Sequence, residues 1–225
     1  MGAAIGGALP LAIGVALSPI PIIAVVLMLT TRRARANGPL FVVGWLAGLA
    51  VIGAIALSIA GSADASSSGG PATWVSWSKV VIGVVLILVA AVQFHMRPKS
   101  GDRVELPKWL GRVDEIKPPA AAGLGVVMGG FNPKNLLLAV AAVEGIAQTG
   151  ISGGEEVIAY AVFALIGTLG VGAPVGIYFA MGARSEQVLA DLRDWMAQNN
   201  AVITAVICVL IGVKLIGDGI TGLTA

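Results

Sequence analysis

The sequence is poor in charge, in aromatic residues and in the side chains that build redox and metal sites. Charged residues make up 12% of it and hydrophobic ones 57%, with a mean hydropathy of +0.93. Soluble domains carry about 25% charged residues, so no aqueous core-and-shell arrangement suits this chain. It reads as a membrane protein. The single cysteine, Cys208, excludes an intramolecular disulfide and paired-thiol chemistry within one chain. Cys208 reads as a small apolar filler. The single histidine, His95, ends an apolar run and reads as interfacial. A metal needs several converging His, Cys or carboxylate ligands, so neither a metal nor a cofactor is expected. A net charge of +2, with no basic stripe on a polar scaffold, gives no reason to expect nucleic acid. No nucleophile, base and orienting group stand together at workable spacing, so an enzyme is not expected. Met1-Gly2-Ala3-Ala4 has no basic flank and does not read as a cleaved leader.

What the chain does have is long apolar runs, two of them interrupted. Residues 3–31 hold no charge and are longer than a ~30 Å hydrocarbon core requires. Ser18-Pro19-Ile20-Pro21 divides them. Neither Pro19 nor Pro21 can donate to the carbonyl four residues back, so other groups must satisfy it. The second interruption is Gly129-Gly130-Phe131-Asn132-Pro133-Lys134-Asn135-Leu136, inside residues 120–147. A lysine at membrane depth costs about 2.5–3.5 kcal/mol and marks a functional position by default.

The remaining runs are 40–60, 74–94, 157–181 and 201–223. Pro39 suits a first helical residue. Gly44 and Gly48 have the spacing that lets helix backbones approach closely. Residues 61–73 form a Ser/Gly-rich connector, and Trp74 and Trp77 fit an interfacial belt with Lys79 snorkelling outward. Residues 96–118 are the one long polar stretch, where Leu106, Trp109, Leu110 and Val113 predict a short helix on the membrane surface. Glu155 and Glu156 suit the start of a helix, and Gly167, Gly170, Gly172 and Gly176 give the fifth run a packing face, with Pro174 as a kink. Residues 185–198 predict a second surface helix, capped by Ser185, with Val188, Leu189, Leu192, Trp195 and Met196 as its stripe.

The six runs, read as spans, are oriented by their loops. Arg32, Arg33 and Arg35 lie in the first loop. Arg97, Lys99, Arg103, Lys108, Arg112 and Lys117 lie in the third, and Arg184 and Arg193 in the fifth. The second and fourth loops hold no Lys or Arg. The basic loops therefore face the cytoplasm and both termini lie outside. Six spans divide into residues 1–95 and 120–225, joined by a charged linker, 96–119. Three spans are odd, so the halves are inverted, each with its break in its first span. Aligning Pro19 with Pro133 sets Ile20 against Lys134 and Pro21 against Asn135. The expected fold is all-α, six membrane helices in a 3+3 inverted repeat, with broken-helix ends at the bilayer middle.

Those ends, with Lys134, favour an anionic group such as a carboxylate, sulfate or phosphate. Ser18, Pro19, Pro21, Asn132, Pro133, Lys134 and Asn135 are the expected translocation residues. Lys134 would bind the anion or exchange a proton. Glu144, Lys214 and Asp218 are expected to gate or couple, the alternatives being an interfacial carboxylate and a snorkelling pair at the outer interface. Glu144 stands about 15 Å along a helix from Lys134. Lys214 and Asp218 share a helix face, though Lys before Asp is the weaker order for local support.

Leu17-Ser18-Pro19-Ile20-Pro21-Ile22 and Gly130-Phe131-Asn132-Pro133-Lys134-Asn135, with the charged central linker, resemble the lysine-exporter (LysE) superfamily. Within it the chain is similar to the GAP-like branch, the sulfolipid- and glycopeptidolipid-addressing proteins of mycobacteria and relatives. The resemblance implies outward delivery of a cell-envelope glycolipid across the plasma membrane, often beside a larger lipid transporter, and a homodimer. The paired cysteines of the thiol-relay branch are absent. So are the first-span acids or histidines of the metal-exporting branches. A small-solute exporter, of amino acids for instance, and a non-transporting assembly factor for a lipid exporter are the alternatives.

Overall fold

The computed structural model describes residues 1–64, 73–95, 97 and 108–224, and every regular element among them is helical. In lipid each backbone N–H and C=O must find its partner inside the chain, and a helix does this residue by residue. The helices are α1 (Gly2–Ala16), α2 (Pro19–Leu29), α3 (Ala34–Asp64), α4 (Thr73–His95), α5 (Pro118–Gly130), α6 (Pro133–Ala147), α7 (Gly153–Met181) and α8 (Ser185–Thr224), with a short 3₁₀ helix at Lys108–Glu115. Three tracts, Ala34–Ala60, Val75–His95 and Gly153–Thr224, are long and apolar enough to cross a membrane. Counting each bent pair as one span raises the number to five. Gly153–Thr224 itself comprises two helices that part at Gly182, whose φ of 55° is costly for any residue with a side chain.

Both expected interruptions are real breaks. The axis turns by 54° between α1 and α2 and by 58° between α5 and α6. The pieces then pack against helices of the other half of the sequence. α1 lies on α7 and α6, α5 on α3, α2 on α8, and α4 on α8. Glycines set these approaches. A Cβ on Gly44 would strike the carbonyl of Ala122, and one on Gly48 the carbonyl of Val126. Gly170 faces the carbonyl of Ala16 in the same way, and Gly83 of α4 meets Gly212 of α8. Among the four glycines read as the packing face of α7, Gly167 and Gly170 carry the contact with α1, while Gly176 faces open space.

Four local expectations need correction. α3 begins at Ala34, with Pro39 inside it. The carbonyl left without a donor is that of Arg35, which is exposed at the helix end. α8 is one unbroken helix, so residues 185–198 are not a separate surface helix. No Gly or Pro occurs between Ser185 and Ile211 to stop it. Leu189 and Met196 of its stripe are buried, whereas Val188 and Trp195 face outward. The 3₁₀ helix packs on α2 and buries Leu110 and Val113 in the protein core, where a lipid-facing surface was expected. Lys79 points inward and is buried, with Nζ donating to Oε1 of Gln148. Trp77 is exposed, as an interfacial residue should be.

Residues 65–72, 96 and 98–107, with Lys99, Asp102, Arg103, Glu105 and Leu106, lie outside the described residues, as do the side chains of Trp74, Lys108, Trp109 and Arg112.

Candidate functional site

The first break loses two backbone donors. In a continuous helix the carbonyls of Val15 and Leu17 would accept from residues 19 and 21, and both are proline. The hydroxyl of Ser18 takes the first, donating to the Val15 carbonyl at 2.7 Å. Ser18 is itself buried, 2% exposed, so no bulk water competes for that bond.

The second break supplies what the first lacks. Asn132 has extended backbone geometry and caps α6, its Oδ1 accepting from the N–H of Lys134 at 3.1 Å. Pro133 follows at the first helical position, where its missing N–H costs nothing. The Lys134 side chain then reaches across to α1. Its Nζ donates to the carbonyl of Gly14 at 2.5 Å and lies 3.4 Å from that of Leu17. The ammonium therefore sits on the carbonyl end of α1, where the helix dipole is negative. Each hydrogen bond to a charged group contributes about 1.5–3 kcal/mol. That matches the cost of placing a lysine in the membrane, so the cation is accounted for here without any ligand.

Asn135 ties the two breaks together. It is fully buried, and its Nδ2 donates to the carbonyl of Met128, at the end of α5. Its Oδ1 lies 3.1 Å from Ser18 Oγ. The serine has one proton for two acceptors, Val15 and Asn135, so the hydroxyl is shared between them. Of the seven residues read from sequence as the translocation site, all stand at this junction.

Beside the junction is a cavity of ≈ 540 Å³. Ser18, Pro19 and Pro21 line it from the first break, and Asn132, Pro133 and Lys134 from the second. Val85, Leu88, Val89 and Val92 of α4 make an aliphatic wall. Gln93, Asn200 and Thr204 add polar groups where α4 and α8 approach the basic loops. The N-termini of α2 and α6 both face this space, and Lys134 has a third N–H beyond the two carbonyls it caps. The arrangement offers a cation and two positive helix ends at one side and aliphatic surface along the other.

Glu144, Lys214 and Asp218 do not join this cavity. Glu144 is 8% exposed, and its Oε1 accepts from Ser78 Oγ at 2.8 Å. Lys214 and Asp218 form a half-exposed ion pair at 2.5 Å, four residues apart on α8. They gather instead around Lys79, whose charge feels Asp218, Glu144 and Lys214.

The sequence reading passed over Ser78, Gln148 and the polar cavity residues Gln93, Asn200 and Thr204, and it turned Lys79 outward. Lys79 was discoverable: Ser76, Lys79, Ile82, Leu86 and Ala90 are all buried and recur every three or four residues, while Trp77 is off that stripe. Gln93, Asn200 and Thr204 share the cavity with residues from distant segments, and no local pattern announces it.

A family model described as Sap, sulfolipid-1-addressing protein, matches residues 8–221. No curated protein and no solved structure matches the chain. The family match takes in both breaks, the residues lining the cavity beside them and all or most of each helix, and the chain belongs to the sulfolipid-1-addressing protein family.

Proposed function

We propose that this protein moves an anionic lipid or glycolipid of the cell envelope outward across the plasma membrane, through the junction of the two broken helices. The single observation carrying this is Lys134. It stands at the meeting point of both breaks and lines a cavity whose opposite wall is aliphatic. A charged headgroup would take the remaining N–H of the ammonium and the positive ends of α2 and α6. The acyl chains would lie along Val85, Leu88 and Val92. The family description names a sulfolipid, an anionic head on apolar chains. The same aliphatic wall counts against a small hydrophilic solute such as an amino acid.

The structural plan we infer is six spans as two inverted repeats, residues 1–95 and 120–225, in keeping with the wider lysine-exporter likeness. The packing supports it. Exchanging the halves maps α1 on α7 onto α5 on α3, and α2 on α3 onto α6 on α7. α4 against α8 and α3 against α7 map onto themselves. α1 and α6 pack together on the side away from the basic loops, whereas α2 and α5 make no comparable contact among the described residues. With the basic loops cytoplasmic and both termini outside, this is a site open to the inner leaflet and closed to the outer one. A homodimer and a larger lipid-transport partner remain part of the reading through the family resemblance.

The test is lipid movement by the purified protein in liposomes, followed with a fluorescent anionic phospholipid and a zwitterionic one. The anionic probe is expected to cross faster, and Lys134→Met to abolish the difference. Equal rates for the two probes, or an unaffected variant, would refute the role of Lys134. Absence of any movement would leave the protein an assembly factor.

A further inference from the structure

The second buried polar cluster has features that the lipid site does not use. Glu144 lies near the end of α6 opposite Lys134, and its two oxygens are treated differently. Oε1 lies 2.8 Å from Ser78 Oγ. Oε2 is buried with no hydrogen-bond partner among the described residues. Glu144 borders a second cavity of ≈ 190 Å³, whose other walls are aliphatic, Ile52, Ile55, Leu136, Val140 and Val143 among them. An ionised carboxylate left this way loses several kcal/mol of hydration, offset only by Ser78 at one oxygen and the Lys79 charge.

The neighbours respond as if the carboxyl were neutral. Lys79 is the one charge that acts on Glu144 from α4, yet its ammonium donates to the neutral amide of Gln148 and forms no ion pair with Glu144. Lys214 and Asp218, on α8, pair with each other. From α7, the Tyr160 hydroxyl is committed to the Leu49 carbonyl, and Glu155 is engaged with Ser152 in the first turn beside Glu156. α1 has no ionisable side chain, the α-amino group of Met1 at its start acts on Glu155, and the described side chains of α3 that line the cavity are apolar. Ser78 makes the same point. Its oxygen is 2.7 Å from the Val75 carbonyl and 2.8 Å from Glu144, with one proton between them. A protonated Glu144 can donate to Ser78 and leave the serine proton on Val75. An ionised one takes that proton and strips Val75 of its bond. A metal cation is a poor occupant, because the cavity offers it a single carboxylate and no further oxygens.

We infer that Glu144 is a proton-binding site, neutral in this conformation, that releases its proton when the α4–α6 contact rearranges. Its use as the coupling site for outward lipid movement rests on the transport reading above. Two measurements on the full-length protein in liposomes test it separately. The first is an infrared titration. A carboxylic-acid C=O band should be present at neutral pH and vanish in Glu144→Gln, which keeps the shape and can donate to Ser78 or accept from it. No such band, or the same band in the variant, overturns the inference. The second is movement of a fluorescent phosphatidylglycerol under an imposed pH gradient, in vesicles of phosphatidylethanolamine and phosphatidylglycerol. Glu144→Gln should lose the gradient dependence, and an unchanged dependence overturns the coupling role. If wild-type protein moves no lipid, the transport reading fails, and the infrared band still decides whether Glu144 holds the proton.

Discussion

The two breaks bend the chain by nearly the same angle, 54° and 58°, with opposite chemistry. The first is made by removal: Pro19 and Pro21 delete donors, and only the Ser18 hydroxyl replaces any. The second is made by addition: Asn132 caps its own helix, Asn135 bonds the end of α5, and Lys134 has donors to spare. The surplus of one meets the deficit of the other. Each break here is completed in part by the other, and the pair creates a polar point deep in an apolar protein.

The comparison breaks hardest where each bent helix is seated on a glycine. The end of α5 rests on Gly48 and the end of α1 on Gly170. Gly48→Leu and Gly170→Leu should each cost about 3 kcal/mol or more, because the intruding Cβ meets backbone that cannot yield. Comparable loss of folded yield in both would support the equivalence of the halves, and a tolerant Gly170 would deny it. Lys134→Met comes next. It removes the lysine together with its burial cost but leaves the Gly14 and Leu17 carbonyls without the ammonium, so thermal unfolding in detergent should show a loss of about 1–3 kcal/mol. Lys134→Arg should recover part of it. Asn135→Leu should cost about 1–3 kcal/mol, since the part-buried Met128 carbonyl loses its donor. Smallest are Asn132→Ala, about 1 kcal/mol for a lost cap, and Ser18→Ala, about 0.5–1.5 kcal/mol. If Ser18→Ala were the more damaging of the last two by a wide margin, the first break would depend on its own serine more than on the lysine of the second.

The breaks were legible because proline has no N–H and because Lys134 stands where charge is expensive. Those are local facts, printed in a few consecutive residues. The identity of the groups that Lys134 satisfies was not legible. Gly14 and Leu17 are well over a hundred positions away, and backbone carbonyls leave no mark in a sequence. The sequence argued for an anion at Lys134, and the structure gives its ammonium two carbonyl partners first. Lys79 was misread because a lysine near a helix end snorkels by habit, while its burial stripe said otherwise. The length of α8 was missed because Asn199-Asn200 invites a boundary, yet amides interrupt a helix far less than proline does.

The claim on which the account turns is that the ammonium at the junction holds an anionic lipid head. Native mass spectrometry of the protein, purified in mild detergent from lipid-rich membranes, reads this directly. An anionic lipid should be retained by the wild type, kept by Lys134→Arg and lost from Lys134→Met, with Glu144→Gln retaining it. Equal retention of the same lipids by the wild type and Lys134→Met would contradict it.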